Sequence, residues 1–550
     1  MRVDSSMRQR RALTGILMLL LTLATRECLA GGRIVGESPD GLPERLVLAL
    51  DGIPYDVFVG LQKQGHFIGF HPAARMVSTF PSLSDVSFAA IGGTEPPLGY
   101  QQMRFDAERN RVVGNTLGSL SSQAHPDIGE DSRNYSSMHR IIGYLVPYHI
   151  ALREMREIGR EFLASRNETF VAFLETSDAI LHVEGRPAAE KFLLQLDKFL
   201  RDLQARVRER TGRGLFIDIV SDHGSTMVKG KIVPVERVLR RCGFERRDRI
   251  VNPYDAAYSL AGIIGSLAIT TTREHGEEAA RCLAAAEGVD LVAIDRGDAV
   301  GILASDGEGE VRLAGSAPET YGYRALQGDP LGLMQGLTTA GERTFDESAL
   351  FRQTLDAPRP DPLRRLWQAF HGDVKEPSTI LVSFADGREA GNTQVRAFAG
   401  LRGRVGTHGS MTRLSTLGVI ASNWRSIEDV DSRGANEALF GARTVAAMRL
   451  ALNQQTARAG PSTISVPGAA SGPSAIFEVK DIVAEAASTP LESRRSAGGR
   501  VLDPAPAGGG VDEARLGIQD FEHLQRVGLP VRGELECGPG FQPVRDKSCE

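Results

Sequence analysis

The sequence predicts an α/β protein built as a three-layer sandwich, with helices on both faces of a mostly parallel central sheet and a cap inserted into the chain. Three apolar runs rich in β-branched residues each end at an acidic residue, and we expect them to be buried strands. They are Arg45–Asp51, Thr169–Glu175 with Asp178 just beyond, and Gly214–Asp222. Helical patterns at 151–164 and 188–210 separate them, and this alternation is typical of a doubly wound sheet.

Carboxylates follow all three predicted strands. In doubly wound sheets ligands bind beyond the carboxyl ends of the strands, so we expect Asp51, Asp178 and Asp222 to meet at one edge of the sheet. Each of them could instead only cap the helix that follows. Three such residues together, two of them close to a histidine, favour a functional site.

The pattern changes after residue 230. A helix is expected at 275–287, short strands at 289–294 and 299–304, and a polar loop region after them. We interpret residues 231–394 as an inserted cap.

The predicted catalytic core therefore consists of residues 31–230 and 395–455, and it includes a helix at about 435–452. Residues 456–550 are rich in Gly, Pro, Ser and Ala, which predicts a low-complexity tail that is mobile or peripheral.

The N-terminus has the pattern of a secretory signal peptide. Three arginines, Arg8, Arg10 and Arg11, precede an apolar run at 12–24, and Cys28-Leu29-Ala30 precedes Gly31. Because the run is shorter than the roughly 20 residues of a membrane span, we expect a signal peptide at 1–30 rather than an anchor. Lipid attachment at Cys28 is the competing interpretation, and Arg26-Glu27 does not suit it. The prediction is export to the periplasm or beyond the cell, with no other transmembrane span.

Removing the signal leaves four cysteines in what would be an oxidising compartment: Cys242, Cys282, Cys537 and Cys549. Four cysteines allow three pairings, and the sequence selects none of them. Cys537 and Cys549 are close enough to staple the C-terminal tail. Free thiols at 242 and 282 are an equal alternative.

Composition limits the partners. The 550 residues include 64 basic and 69 acidic ones, with 41% hydrophobic content and a net charge of −5. A large core can therefore form, and there is no basic excess of the kind that nucleic-acid binding favours. The oligomeric state cannot be derived from these numbers.

Four clusters of side chains offer ligands for metal ions. They supply three carboxylates and three imidazoles: Asp51, Asp178 with His182, Asp222 with His223, and His408. This set suits two Zn²⁺-like ions. The four-residue spacing of Asp178 and His182 places both on one face of a helix. Two divalent cations would exceed the charge of three carboxylates, so the site would attract anionic substrates.

The order of these clusters resembles the metal scaffold of the alkaline phosphatase superfamily. Ser78-Thr-Phe-Pro-Ser82 and Leu48-Ala-Leu-Asp-Gly52 are similar to elements of its type I phosphodiesterase/nucleotide pyrophosphatase family. The resemblance covers roughly residues 45–230 and 395–425. It implies an alkaline phosphatase-like fold and a phosphoric ester hydrolase that cleaves phosphodiester or pyrophosphate bonds in small anionic substrates.

The resemblance also implies roles for individual residues. Thr79 would be the nucleophile and form a phospho-threonine intermediate. One zinc would be held by Asp178, His182 and His408, and the other by Asp51, Asp222 and His223 together with the Thr79 oxygen. Metal binding would stabilise the alkoxide without a separate base. The alternative is that Thr79 is a turn residue and Ser78, Ser82 or Ser84 serves instead.

The family's transition-state donor is harder to place. The family usually has an Asn about twenty residues after the nucleophile, in a Gly-Asn context. Gly114-Asn115 offers Asn115 if the loop carries an insertion, whereas Gln101 and Gln102 lie at the expected distance. Lys229 and Lys231 could reach substrate phosphate or be ordinary surface lysines.

Other functions remain as alternatives. A phosphomonoesterase would need an arginine near the phosphoryl oxygens, for which Arg75 is the candidate in sequence. A phospho-alcohol transferase could use the same intermediate, and a binding protein could retain the scaffold without turnover. A sulfatase is not expected, because Thr79 cannot become the formylglycine that sulfatases use.

Overall fold

The computed structural model describes residues 41–114, 143–260, 263–316, 319–334, 341–391 and 405–458. All of these residues belong to one compact unit. The predicted signal peptide at 1–30 lies outside the described residues, as do Asn115, Cys537, Cys549 and nearly all of the predicted tail. Among the described helices, none has the length and apolar character needed to cross a membrane.

The strands of the described residues, in chain order, are β1 (Arg45–Leu50), β2 (Ala74–Val77), β3 (Arg104–Asp106), β4 (Arg111–Val113), β5 (Thr169–Leu174), β6 (Phe216–Ser221), β7 (Lys231–Ile232), β8 (Glu245–Arg246), β9 (Asp255–Ala256), β10 (Ile263–Ile264), β11 (Ser266–Ile269), β12 (Val289–Asp295), β13 (Val300–Ala304), β14 (Gly307–Ser316), β15 (Glu319–Gln327), β16 (Glu342–Asp346), β17 (Ile380–Phe384), β18 (Arg388–Gly391), β19 (Leu417–Ser422) and β20 (Val430–Asp431).

The helices are α1 (Tyr55–Lys63), α2 (Ser84–Gly92), α3 (Pro147–Ala164), α4 (Thr176–Val183), α5 (Arg186–Thr211), α6 (Val235–Arg241), α7 (Gly276–Ala284), α8 (Glu347–Thr354), α9 (Pro362–His371), α10 (Arg413–Thr416), α11 (Ser432–Phe440) and α12 (Ala442–Arg458). A 3₁₀ turn at Arg273–His275 leads into α7.

A central sheet contains the three strands predicted from the sequence. Its order is β20-β2-β19-β6-β1-β5, so β6, β1 and β5 are neighbours. They run parallel and in register, with Leu50 level with both Leu174 and Ser221. β19 is antiparallel to β2 and β6, whereas β2 and β20 are parallel. The expectation of a mostly parallel central sheet is confirmed.

Both faces of β1 are buried, which gives the sheet its three layers. Leu46 and Leu48 join an apolar cluster formed with α1, α3 and α5. Val47 and Ala49 point the other way into a cluster that contains Phe88 of α2 and residues of α11. Complete burial of one such leucine side chain contributes roughly 1.5–3 kcal/mol to the free energy of folding. Because both faces of β1 are buried, apolar residues are favoured at every position of the strand.

A second, antiparallel sheet has seven strands in the order β11-β17-β12-β13-β14-β15-β16. The expectation of a polar loop region after residue 304 is wrong, because β14 and β15 form a long hairpin there. Tyr321 and Tyr323 are buried on one face of that hairpin, and charged residues lie on the other face. These charged residues make the sequence of the two strands resemble a polar loop. The boundaries of the predicted cap stay a prediction.

Two local features concern the predictions directly. The helix predicted at 435–452 is two helices, because the backbone is extended at Gly441 between α11 and α12. Cys242 and Cys282 form a disulfide that joins the end of α6 to α7, with Cα atoms 6.4 Å apart. The alternative of free thiols at these two positions is therefore wrong.

Candidate active site

Strand ends bring the predicted carboxylates together. Asp51 follows β1 and Asp222 follows β6, one residue beyond the level pair Leu50 and Ser221. Asp178 lies in the first turn of α4, which begins two residues after β5. All three are buried. The parallel register of β5, β1 and β6 thus places three acidic side chains at one edge of the sheet.

Helix α4 supplies two neighbouring ligands. Asp178 and His182 are four residues apart and lie on one helical face, with His182 Nε2 3.0 Å from Asp178 Oδ2. Glu154, buried in α3, accepts hydrogen bonds from the backbone N–H and the hydroxyl of Thr176 at the start of α4. This contact fixes the first turn of the helix and with it the direction of Asp178.

The histidines approach from two other segments. His223 Nε2 lies 3.5 Å from Asp51 Oδ1 and 3.4 Å from Asp222 Oδ2. His408 Nε2 lies 3.9 Å from Asp178 Oδ1. The structure therefore brings together all six side chains that the sequence predicts as ligands.

Two groups of three ligand atoms lie within 4.8 Å of one another: Asp178, His182 and His408, and Asp51, Asp178 and His223. The first group has the same members as one of the predicted zinc sites. The second has Asp178 where the predicted site has Asp222, whose Oδ2 lies 3.4 Å from His223 Nε2. Asp178 is thus common to both groups.

Each of the three histidines is oriented by a backbone carbonyl. Nδ1 of His182, His223 and His408 faces the carbonyl oxygens of Gly406, Gly224 and Ser82 at 2.9, 2.8 and 2.8 Å. A carbonyl only accepts hydrogen bonds, so Nδ1 carries the proton and Nε2 is directed at the carboxylates. Histidines that bind metals are usually held in this way.

The histidines balance the charge of the three buried carboxylates only in part. Asp178 Oδ1 and Asp222 Oδ2 are buried without a hydrogen-bond partner among the described residues. Burial raises the pKa of Asp51 well above its ordinary value, and the Asp222 carboxylate raises it further. Burial likewise raises the pKa of Asp222. Burial would raise the pKa of Asp178 as well, but His182 and His408 hold it below its ordinary value. The two oxygens without a hydrogen-bond partner are available to bind cations, and a bound cation would keep Asp51 and Asp222 ionised.

The histidines respond oppositely to the same surroundings. Burial would lower the pKa of His223, but Asp222 and Asp51 raise it to about 10. Burial lowers the pKa of His408 to about 3, and the charge of His223 acts in the same direction. A proton on His223 therefore partly compensates the carboxylates in the absence of a cation. The donor set of imidazole nitrogens and carboxylate oxygens fits divalent metal ions of the zinc type.

Gly52 permits the close approach of the ligands. Its φ is +72°, and a Cβ atom there would lie 2.7 Å from Asp178 Oδ1 and 3.1 Å from His223 Cε1. Its backbone N–H donates to Asp222 Oδ1 at 3.0 Å. A side chain at this position would therefore displace the ligands as well as strain the backbone.

The hydroxyl that faces the carboxylates belongs to Ser84, the first residue of α2. Ser84 Oγ donates to Asp51 Oδ1 at 3.0 Å and lies 3.3 Å from His223 Nε2. Thr79 Oγ1 donates instead to the carbonyl of Pro81 at 3.1 Å and lies 2.9 Å from Ser87 Oγ. The expected contact between the Thr79 oxygen and the ligands is thus made by Ser84. The role of Thr79 as nucleophile stays a prediction.

A sequence signal for Ser84 existed. The apolar residues Val86, Phe88 and Ile91 begin the helical pattern of α2 just after Ser84, which is the first residue of the helix and follows its N-cap, Leu83. Thr79 lies five residues upstream of Ser84, and its hydroxyl faces Pro81 and Ser87 rather than Asp51.

Several predicted phosphate contacts lie elsewhere. The Arg75 guanidinium is engaged by Asp429 at 2.9 Å and by Asp356 at 2.9 Å. Lys229 and Lys231 are exposed on the surface. Gln101 lines a small cavity together with Leu83, next to Ser84, whereas Asn115 is outside the described residues. The donor for the phosphoryl oxygens is therefore not identified by these contacts.

Comparisons with known proteins give a remote likeness. No protein-family model and no curated protein sequence matches the chain. Among solved structures, murine ectonucleotide pyrophosphatase/phosphodiesterase 5 is 11% identical and covers 72% of this chain and 94% of its own, with a TM-score of 0.41. Phosphonoacetate hydrolase from Sinorhizobium meliloti 1021, in complex with phosphonoformate, is 12% identical over 74% and 98%, with a TM-score of 0.42. Similarity at this level does not assign the chain to a family.

Proposed function

We propose that this chain is a metal-dependent hydrolase of phosphoryl esters that acts on phosphodiester or pyrophosphate bonds. The observation that carries the proposal is the convergence of three buried carboxylates and three histidine Nε2 atoms around Asp178. Three buried carboxylates so close together are costly for stability, and the histidines compensate their charge only in part, so the arrangement indicates that the site binds something positive.

Two divalent cations of the zinc type would occupy the site. Asp178, His182 and His408 would hold one of them, and Asp51, Asp222 and His223 would hold the other, with Asp178 close to both. When bound, such cations supply Lewis acidity, which lowers the pKa of hydroxyl groups and water and neutralises charge on the phosphoryl oxygens. They also account for a preference for anionic substrates despite the net charge of −5.

Ser84 is the nucleophile in this proposal, in the place that the sequence prediction gave to Thr79. Its oxygen lies against Asp51 and His223, whereas the hydroxyl of Thr79 is held by Pro81 and Ser87. Ser84 also begins α2, where free backbone N–H groups and the helix dipole favour negative charge on an attacking oxygen.

The reaction proceeds in two displacements. Ser84 Oγ loses its proton, for which Asp51 Oδ1 at 3.0 Å is the nearest acceptor, and forms a bond to phosphorus. The bond from phosphorus to the leaving alcohol or phosphate breaks, and that oxygen takes the electron pair and the proton that Ser84 released. Water then attacks phosphorus and the bond to Ser84 breaks, so that one proton of the water returns to Ser84 Oγ and the other leaves with the phosphate product. Such kinetics are ping-pong.

Diester or pyrophosphate cleavage is favoured over monoester cleavage. A monoester carries an additional negative charge on its terminal oxygens and is usually held by an arginine. Arg75, the candidate in sequence, pairs with Asp429 and Asp356 and is thereby neutralised.

We also propose that the protein is exported. The Cys242–Cys282 disulfide supports this proposal, because disulfides persist in oxidising compartments and are rare in the cytosol. The signal-peptide pattern at residues 1–30 points the same way.

The central experiment compares serine and threonine variants of the zinc-loaded and chelator-treated protein. Substrates are bis-p-nitrophenyl phosphate, p-nitrophenyl phosphate and nucleoside p-nitrophenyl esters. We expect metal-dependent turnover that is highest on the diesters. Ser84→Ala should lower kcat by at least about a thousandfold, because a nucleophile is removed, whereas Thr79→Ala should change it by less than about tenfold.

Acid quenching followed by peptide mass spectrometry should locate a phosphoryl group on Ser84. If Thr79→Ala abolishes turnover and Ser84→Ala does not, the nucleophile is Thr79. If the zinc-loaded protein is inert toward every substrate, the hydrolase proposal is wrong.

A further inference from the structure

Arg365 of α9 is a buried cation close to the proposed active site but outside its ligand set. Its side chain is 2% exposed, it forms no ion pair with another described residue, and its Nε has no hydrogen-bond partner among them, so Nη1 and Nη2 make its contacts. Burial lowers its pKa to about 9, which still leaves it charged near neutral pH. A buried charge without a counter-ion is costly unless its donors are satisfied. The hydrogen bonds of Arg365 must therefore stabilise its charge.

Those hydrogen bonds converge on the segment before Ser84. Arg365 Nη2 donates to the carbonyl oxygen of Thr79 at 3.0 Å and to Ser82 Oγ at 3.1 Å. Nη1 donates to the carbonyl of Pro360 at 3.0 Å, with the carbonyl of Met411 at 3.4 Å. One planar group therefore binds two parts of the chain that are far apart in sequence. We call residues 79–84 the Ser84 loop and residues 405–411 the His408 segment.

Ser82 connects the two parts. Its hydroxyl donates toward the carbonyls of Thr79 and Ser410, both at 3.1 Å. Its backbone carbonyl accepts from His408 Nδ1 at 2.8 Å, and its N–H donates to the carbonyl of Gly409 at 3.2 Å. A shift of Ser82 would therefore move His408 as well as Ser84, which lies two residues further along.

Packing supports the same conclusion. Phe80 and Leu83 of the Ser84 loop and Met411 of the His408 segment belong to one apolar cluster with the second sheet and α9. The apolar contacts hold these elements together but do not fix their orientation. The guanidinium of Arg365 fixes it, because its N–H donors lie in one plane and reach acceptors only at defined positions.

We infer that Arg365 is a positioning residue that sets the separation between Ser84 and His408. The inference rests on the proposed function, since it assigns catalytic meaning to that separation. Misplacement of a reacting group by about 1 Å can cost about a hundredfold in rate. Lysine at this position could reach only one of the acceptors, so charge alone does not replace arginine.

The test compares Arg365→Lys and Arg365→Met with Arg359→Met. Arg359 lies just before α9, pairs with Asp290 at 2.6 Å and does not contact the Ser84 loop, so it is a matched control. For both Arg365 variants we expect kcat on bis-p-nitrophenyl phosphate to fall about a hundredfold with KM changed less than about threefold. Low concentrations of guanidinium ion should restore at least a tenth of the lost rate in Arg365→Ala.

A second readout does not depend on turnover. The His408 Nδ1 proton, protected by the Ser82 carbonyl, should give a slowly exchanging imidazole signal in the NMR spectrum, and Arg365→Met should abolish or shift it. If Arg365→Met does not fold, Arg365→Lys and Ser82→Ala decide the question by the same two measurements.

Equal rate losses in Arg365→Met and Arg359→Met, or an unchanged His408 signal in the Arg365 variants, would overturn the inference. Absence of turnover in the wild-type protein would instead count against the proposed function, and the NMR result would then decide on Arg365 alone.

Discussion

The rings of His223 and His408 stack with their centroids 3.8 Å apart and their planes within 10°, yet their pKa values shift in opposite directions. Two imidazolium ions at this separation would repel each other, so only one ring carries a second proton, on Nε2. His223 holds it because Asp222 and Asp51 face that ring. This asymmetry leads to a prediction for metal binding.

Zn²⁺ binding should release a proton from His223. The pKa of about 10 means that the metal-free ring is protonated at neutral pH, and a ligating Nε2 must lose that proton. Affinity should therefore rise about tenfold per pH unit from neutral pH toward pH 10 and then level off. Calorimetry in buffers of different ionisation enthalpy measures the protons released.

Variants of the two rings separate this effect from general loss of a ligand. His408→Ala should weaken zinc binding but leave the number of released protons unchanged, because the pKa of about 3 leaves His408 neutral. His223→Ala should change that number, because the proton on His223 Nε2 is lost and the pKa values of Asp51 and Asp222 rise. A fall in proton release in His408→Ala, or an unchanged release in His223→Ala, would contradict the prediction.

Alanine at Gly52 should damage the metal site more than the fold. Its Cβ would meet Asp178 and His223, so we expect at least a tenfold loss of Zn²⁺ affinity by calorimetry. Gly212→Ala is the control, since φ there is +70° and nothing lies within 4 Å of the added atom. It should cost roughly 1 kcal/mol of stability through backbone strain alone. Normal zinc binding by Gly52→Ala would rule out the proposed ligand geometry.

Asp373 should make stability fall as the pH rises from about 4 to about 6. Burial raises its pKa to about 6, with Arg433 opposing the effect. The folded state then holds a proton that the unfolded state has released, so deprotonation costs folding up to roughly 3 kcal/mol. Above about pH 6 the loss is complete.

Urea unfolding of wild type and Asp373→Asn across this range measures the difference. The asparagine variant should lack the decline. Asp356→Asn is the control, because Arg75 lowers the pKa of Asp356 and its contribution changes only at lower pH. A decline that is equal in wild type and Asp373→Asn would exclude Asp373 as its source.

Reduction of the Cys242–Cys282 disulfide should destabilise the protein. The cysteines are 40 residues apart, and closing a loop of that length contributes about 4 kcal/mol in the chain-entropy description. Denaturant unfolding of wild type and the Cys242→Ser/Cys282→Ser variant should show a loss of about 2–5 kcal/mol. Zinc affinity should not change, because neither cysteine contacts the ligands. Identical unfolding curves would contradict the prediction.

The sequence was sufficient to predict the parts of the fold in which the hydrophobic pattern and the placement of possible ligands indicate the same structure. The strands that end at Asp51 and Asp222 were predictable because both of their faces are buried and their runs are uniformly apolar. The spacing of Asp178 and His182 was sufficient to place them on one helical face. These features also located the candidate site.

Other features depend on contacts that a linear pattern does not contain. β14 and β15 bury only one face, so their charged residues suggested a loop. The orientation of Thr79 and Ser84 is set by the turn between them and by Arg365, which is 286 residues from Thr79 in sequence. Long-range hydrogen bonds of this kind cannot be read from a local motif.

The position of Asp178 in both ligand groups has a consequence for how the protein would acquire its ions. A carboxylate already ordered by one cation needs no further ordering for the next, while the two cations also repel each other across it. The two binding events are therefore thermodynamically linked, and the fraction of protein carrying both ions is not the product of two independent occupancies. Activity plotted against metal concentration would then rise steeply if the ordering of Asp178 dominates, and gradually if the repulsion between the two cations dominates.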